Sequence, residues 1–174
     1  KYFSAWERRE LPAQKVWDEP PLTGREEVRV NYRAEEFVLL AFRTAPANHP
    51  DAEALMMLDM ILDNSVAGLI NLNLNQQQRV REAGCFPMLM NDYGAQYLYG
   101  IPKEGQRKEE VERLLLEQVQ LIRHGQFDDW LIPAIINDYK KREKTGLESD
   151  SSRVAAMRRA WIGYEPWGPA PRII

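Results

Sequence analysis

FVLLAFRTAPANHPDAEALMMLDMILDNSVAGLINLNLNQQQRVREAGCFPMLMNDYGAQYLYGI, residues 37 to 101, is the stretch whose reading decides the fold. Phe37 to Phe42 is apolar on both faces of an extended chain, the pattern of a central strand. Pro46 to Pro50 is a turn. Asp51 stands where it can cap a helix, with Glu53 near the positive end of the helix dipole. Leu55, Leu58, Ile61 and Leu62 share one stripe at helical spacing, and Met56, Met57 and Met60 widen it. Such a helix is largely buried, and Asp63-Asn64 ends it. Val66 to Arg79 carries two signals. Ile70 to Asn75 alternates like a strand, whereas Gln76-Gln77-Gln78 and Arg79 favour helix. Helix is the reading adopted. Phe86, Met88 and Met90 alternate as a strand, Asn91-Asp92-Tyr93-Gly94 turns the chain, and Gln96 to Ile101 returns as the second strand of a hairpin.

Upstream, Val28, Val30 and Tyr32 alternate with Arg29 and Asn31, so Glu27 to Tyr32 reads as a half-buried strand. The gap to Phe37 is short enough for a hairpin. Residues 1 to 26 hold Pro12, Pro20 and Pro21 together with Trp6 and Trp17. Disordered linkers rarely carry tryptophan, so an extended arm docked on a surface is expected. Downstream, Lys108 to Arg123 places Val111, Leu115, Val119 and Ile122 on one helical face, and Gly125 is its stop signal. Asp128 opens a second helix reaching Lys144, with Pro133 shifting its start or kinking it. Ser149 to Trp161 is a third amphipathic helix with Val154, Met157 and Trp161 turned inward. Residues 166 to 174 form a proline-rich boundary tail. Hairpin-linked strands with helices between and after them give an α+β fold: a mainly antiparallel sheet with helices packed on one face. The domain itself is expected over 27 to 165.

Composition narrows the function. A hydrophobic share of 44% supports a core, and a net charge of -3 argues against nucleic acid, which needs clustered Lys and Arg. No apolar run approaches the roughly 20 residues of a membrane span, and no membrane partner is expected. The single cysteine, Cys85, excludes an internal disulfide framework. A chain opening on Lys1-Tyr2-Phe3 is expected to be a segment of a longer protein.

Chemistry-bearing residues are sparse. His49 and Glu53 are four apart, but a zinc site needs at least three protein ligands, and neither HxxEH nor HExxH occurs. His49, before Pro50, reads as a turn or cap residue, and His124, before Gly125, as one that closes a helix C-terminus. Cys85 has no histidine nearby and reads as a buried or half-buried thiol. Asp128-Asp129 reads as helix capping, and Lys140-Lys141-Arg142 with Lys144 as a solvated face. Arg79 and Phe86, seven apart, read as a surface cation and a core aromatic.

The order of features resembles one family. Phe42-Arg-Thr-Ala-Pro-Ala-Asn-His-Pro-Asp-Ala-Glu-Ala-Leu55 is similar to the strand, turn and helix opening of the repeated domain of pitrilysin/insulinase-type zinc metallopeptidases, the inverzincins. Ile61-Leu62-Asp63-Asn64 resembles that helix's glycine-rich end, with Asp-Asn in place of glycines. Gly125-Gln126-Phe127, Tyr139-Lys140, Leu147-Glu148-Ser149, Ala155 and Trp161-Ile162-Gly163 resemble its late helices. Lys1-Tyr2-Phe3 looks like the close of a preceding domain. The resemblance implies the LuxS/MPP-like metallopeptidase fold and a second repeat without zinc ligands. No cofactor then belongs to this segment, and zinc belongs to the parent protein. Its implied partners are the zinc-binding domain of the same parent chain and a peptide substrate, in a bacterial protein of exported type. The family's substrate-contacting arginine and tyrosine, seven apart, match Arg79 and Phe86, the phenol hydroxyl being absent. The alternative implied by the same superfamily is a catalytically inert scaffold or subunit-interaction domain. An unrelated small-molecule binder has no supporting motif.

Overall fold

The computed structural model describes residues 4–7, 9, 10, 12, 13, 15, 20–64 and 66–163. It divides at Arg33/Ala34 into two units, 1–33 and 34–174. In the first unit the described residues form no strand. Val28, Val30 and Tyr32 are 83%, 80% and 84% exposed, which corrects the half-buried strand expected over Glu27 to Tyr32. Alternation only marks a face that could be buried; a strand also needs a ladder partner for its backbone. Trp6 is 76% exposed, while Trp17 and the tail 166 to 174 lie outside the described residues.

The second unit is built on three strands, β1 (Val38–Thr44), β2 (Glu82–Leu89) and β3 (Gly94–Ile101). Their order is β1-β3-β2, antiparallel throughout, with Leu40 opposite Leu98 and Cys85 opposite Leu98 from the other side. The expected hairpin is therefore present. The all-apolar run 37 to 42 is not the central strand, however. β3 is central and β1 is an edge, because the hairpin partner β3 inserts between β1 and β2. Leu39 and Phe37 stay exposed as a result.

One face of the sheet is covered. α1 (Ala52–Leu62) lies over β2, and α2 (Lys108–Arg123) over β3 and β1. Leu62, Leu74, Val80, Ala83, Leu98, Val111, Leu114 and Leu115 form the main core, with Val38 and Leu40 packed against it. α2 approaches so closely that a Cβ on Gly100 would stand 2.5 Å from Val111 Cγ1. α3 (Leu131–Gly146) packs behind α1 through a second cluster of Ile61, Leu69, Leu131 and Ile135. Pro133 falls at the third position of α3, where its missing N–H costs no intrahelical bond.

Several helix ends differ from expectation. Asp51 makes no side-chain cap bond; instead its amide donates to His49 Nδ1 at 3.2 Å. α1 is half-buried rather than largely buried, with only Ile61 and Leu62 fully covered. The Asp128 carboxylate accepts from the Trp130 indole at 3.0 Å instead of capping amides of α3. His124 does close α2, its Nδ1 lying 2.8 Å from the Gln120 carbonyl. Gly125 follows at φ +63°, a left-handed conformation that favours glycine. α4 (Asp150–Ile162) buries none of its residues, and Trp161 is 80% exposed. The inward face expected for Val154, Met157 and Trp161 is thus open, since no described element packs along it.

Candidate functional site: one open sheet face and one open strand edge

Side chains alternate across a strand, so the register sorts the sheet into two faces. Ala83, Cys85, Gln96, Leu98 and Gly100 lie on the helix-covered side. Leu39 and Ala41 of β1, Phe86 and Met88 of β2, and Tyr97 and Tyr99 of β3 lie on the other. No described helix covers them. Phe86 and Tyr97, directly opposite in register, stack with ring centroids 5.1 Å apart and 14° between planes. Tyr99 leans over Gly84, where a Cβ would stand 2.8 Å from its ring, and its hydroxyl donates to Glu82 Oε1 at 3.1 Å. Burial, then the Glu82 carboxylate, raises the Tyr99 phenol above its ordinary value, so it remains a neutral donor. Phe86 is 42% and Met88 40% exposed, and with Leu39, Ala41 and the two phenols they form an apolar and aromatic surface bordered on the same face by the charged side chains of Glu82 and Arg43.

The two outer edges of the sheet are unlike. Asn75 lies against β2, donating through Nδ2 to the Ala83 carbonyl (2.8 Å) and accepting from the Ala83 amide through Oδ1 (2.9 Å). It occupies the place of a neighbouring strand. Two residues on, Asp63 Oδ2 accepts from the Cys85 amide at 3.2 Å. Two further on stands Pro87, which has no amide hydrogen to offer. The β2 edge is therefore closed at Ala83, Cys85 and Pro87. Asn75 reaches its position because Asn71–Asn75 winds as a π-helix. That helical form resolves the double signal of the Ile70 to Asn75 alternation, which had suggested either strand or helix.

Beneath the sheet, Asp59 Oδ1 accepts from Gln96 Nε2 (2.6 Å) and from Cys85 Sγ (3.2 Å). Burial raises the Asp59 carboxyl, opposed by its hydrogen bonds to Gln96 and Cys85. Burial and the neighbouring Asp59 also push the Cys85 thiol far up, so it stays protonated and is no nucleophile at neutral pH. A carboxyl raised in the folded state adds stability below its unfolded pKa and loses it as pH rises through the folded one. Urea midpoints of the wild type relative to Asp59→Asn are therefore expected to be highest in acid and to fall towards pH 7. A difference that grows with pH would show the carboxylate to be stabilised instead.

The residues singled out in sequence are dispersed. Phe86 sits on the open face. Arg79 lies on the helical side, its guanidinium 3.5 Å from Glu117 of α2, which also pairs with Arg113. The two are not brought to one surface. Arg79 and Glu117 line a groove beside Asn73 and Gln118, whose amides meet at 2.7 Å. His49 and His124 are each engaged with backbone atoms on separate elements, and among the described residues no three His, Cys, Asp or Glu converge to hold a metal. The donor set does not fit zinc. Sequence reading overlooked Asn75, Asp63, Tyr97 and Tyr99. The Asn71-Leu-Asn-Leu-Asn75 repeat was the available signal for the first, but not for its partner.

A family model for the peptidase M16 inactive domain matches residues 1–139. The chain belongs to the M16 peptidase family, as its inactive domain. Solved structures agree in fold. A Helicobacter pylori protease superposes with a TM-score of 0.70 at 16% identity, over 74% of this chain and 31% of that one. The inactive peptidase domain of a Bordetella parapertussis protein assigned as a zinc protease superposes with a TM-score of 0.63 at 15% identity, over 76% of this chain and 74% of that one. The M16 inactive domain thus spans about a third of the Helicobacter protein's length. No curated protein sequence matches it. The α+β fold with helices on one side of an antiparallel sheet is that of these neighbours, and the M16 assignment accounts for a well-formed core without a metal-binding constellation.

Proposed function

We propose that this inactive domain forms part of the wall of a proteolytic chamber. The zinc and its ligands would lie in another domain of the parent protein, and the open sheet face would be turned towards the peptide. The observation that carries this reading is the uncovered surface of Leu39, Ala41, Phe86, Met88, Tyr97 and Tyr99 on a domain of a peptidase family. A contiguous exposed apolar surface marks an interaction site. Its two phenols can hydrogen-bond a peptide, while Leu39, Met88 and the Phe86–Tyr97 stack contact its side chains. Phe86 is then the peptide-contacting member of the pair noted in sequence, whereas Arg79 holds α2 to the turn after the π-helix. The arm over residues 1 to 26 would dock on a neighbouring surface, and the parent would be an exported bacterial peptidase.

The test uses the parent protein. Phe86→Glu is expected to lower kcat/KM for peptides by about tenfold or more, with zinc content unchanged, because a carboxylate on this face desolvates poorly against apolar side chains. Unchanged turnover would remove the chamber-wall role. The 174-residue chain alone is expected to hold no stoichiometric zinc and to cleave no peptide; the opposite result would overturn the reading.

The scaffold reading is favoured by one observation. Val154, Met157 and Trp161 form an exposed stripe on α4, beyond the end of the family match at residue 139. A parent protein lacking peptidase activity but retaining a stable partner through α4 would decide for it.

A further inference from the structure

The apolar stripe on α4 has a definite width and definite borders. Val154, Met157 and Trp161 are 64%, 51% and 80% exposed. Their spacing of three and then four residues is that of successive seam positions between two packed helices. On the opposite side of α4, Ser152, Ala155, Ala156 and Ala160 are half-buried. The last turn is held by Asn91, whose Nδ2 donates to the Ile162 carbonyl at 3.1 Å. The half-buried residues are small and the exposed ones large, the reverse of a helix whose burial is complete within its own domain.

Arg153 and Arg158, both exposed, border the seam, one on each side. Asp150, one turn before Val154, ends the seam and accepts from Arg153 Nη2 at 2.6 Å. Ile162 is 52% exposed but lies beyond Arg158, so the stripe stays narrow. The arginines continue a wider asymmetry. Residues 140 to 162 hold seven Lys and Arg against three Asp and Glu, in a chain whose net charge is -3.

A narrow seam takes the ridge of another helix, whereas a helix lying on a bilayer needs a broad apolar face. Arginine borders disfavour a second copy of α4, parallel or antiparallel, because arginine would then face arginine. They select a helix with carboxylates beside its own apolar seam.

We propose that α4 docks an amphipathic helix whose apolar seam is bordered by Glu or Asp. Val154, Met157 and Trp161 interdigitate with its apolar side chains, and Arg158 and Arg153 pair with its carboxylates. The inference rests on the stripe and its borders alone, so it stands whether the parent protein is a peptidase or a scaffold.

The test follows amide resonances of the 174-residue chain during titration with two capped three-heptad peptides. One repeats Glu-Ile-Ala-Ala-Leu-Glu-Lys, with glutamates beside its seam. The other repeats Lys-Ile-Ala-Ala-Leu-Lys-Glu, with lysines there. The glutamate peptide is expected to shift the resonances of residues 153 to 162 saturably and to bind about tenfold or more tightly than the lysine peptide. Met157→Glu, at an exposed position, is expected to keep the urea midpoint and to lose binding. Arg153→Glu with Arg158→Glu is expected to reverse the preference between the peptides. Equal binding of the two peptides, binding that survives Met157→Glu, or no binding of either would overturn the proposal. So would self-association that broadens the 153 to 162 resonances without peptide, which would make a second copy the occupant. Phosphatidylserine vesicles that bind wild type but not Met157→Glu, with no binding of the glutamate peptide, would assign the stripe to a lipid surface instead. Binding is read on this chain without turnover, so its failure leaves the Phe86→Glu test of the chamber wall untouched.

Discussion

Leu115→Ala is expected to lower the unfolding free energy by about 3 to 4 kcal/mol, in the upper part of the range for a buried leucine. Leu115 is fully buried, and it sits where the sheet lacks a side chain. A Cβ on Gly100 would lie 3.4 Å from Leu115 Cδ1, so the helix and β3 are already as near as backbone allows. The cost of such a truncation depends on how far the surroundings collapse into the space. Here β3 is bonded to a strand on both sides, and α2 is held by Val111 and Leu114 as well. Neither wall can move in, so most of the cavity persists. Urea unfolding with an unchanged slope is the measurement. A loss under about 1 kcal/mol would mean that α2 is not packed on β3 in solution.

Asn75→Ala is the second large effect, expected at about 2 to 4 kcal/mol although the residue contributes little apolar area. It deletes both hydrogen bonds to Ala83, a residue 3% exposed, and leaves a donor and an acceptor without partners. Each unsatisfied buried group costs about 1 to 3 kcal/mol. Asn71→Ala is the control: it removes one exposed bond to the Val66 carbonyl and is expected to cost under about 1 kcal/mol. Exchange of the Ala83 amide should accelerate in Asn75→Ala and stay slow in Asn71→Ala. Equal costs for the two variants would show that the amide clamp on β2 is not formed. Opening that edge also exposes a second strand template, so Asn75→Ala is expected to self-associate at concentrations where the parent chain stays monomeric.

The elements themselves were legible to different degrees. α2 was read with both its ends, because its apolar positions recur at helical spacing, its first turn is acidic and a glycine follows. The hairpin was read from alternation and a turn-forming run. The segment 27 to 32 alternates just as clearly, yet forms no strand, because alternation describes side chains and a strand also needs a partner's backbone. Phe37 to Phe42 looked central because both faces are apolar. It is an edge because β3 pairs with it on one side and no described strand pairs with it on the other; its second apolar face looks onto the uncovered side of the sheet, not a second layer. α4 was read as a helix correctly and as buried incorrectly, for the same reason: periodicity names a face but not what lies against it.

By itself, the amino-acid sequence determined the class of fold, the positions of the helices and the hairpin, and the absence of a zinc motif from this segment. These are local quantities, written in spacing, capping and residue chemistry over a few neighbouring positions. The tertiary structure alone decided the strand order, and with it which edge is closed and which is open. Asn75 meets Ala83, Asp63 meets Cys85, and Glu117 draws Arg79 away from the face that holds Phe86. Each of those pairings joins segments whose approach is governed by how α1, the π-helix and α2 pack on one side of the sheet. Packing is a property of surfaces brought together by burial, and no single stretch of the chain encodes its partner.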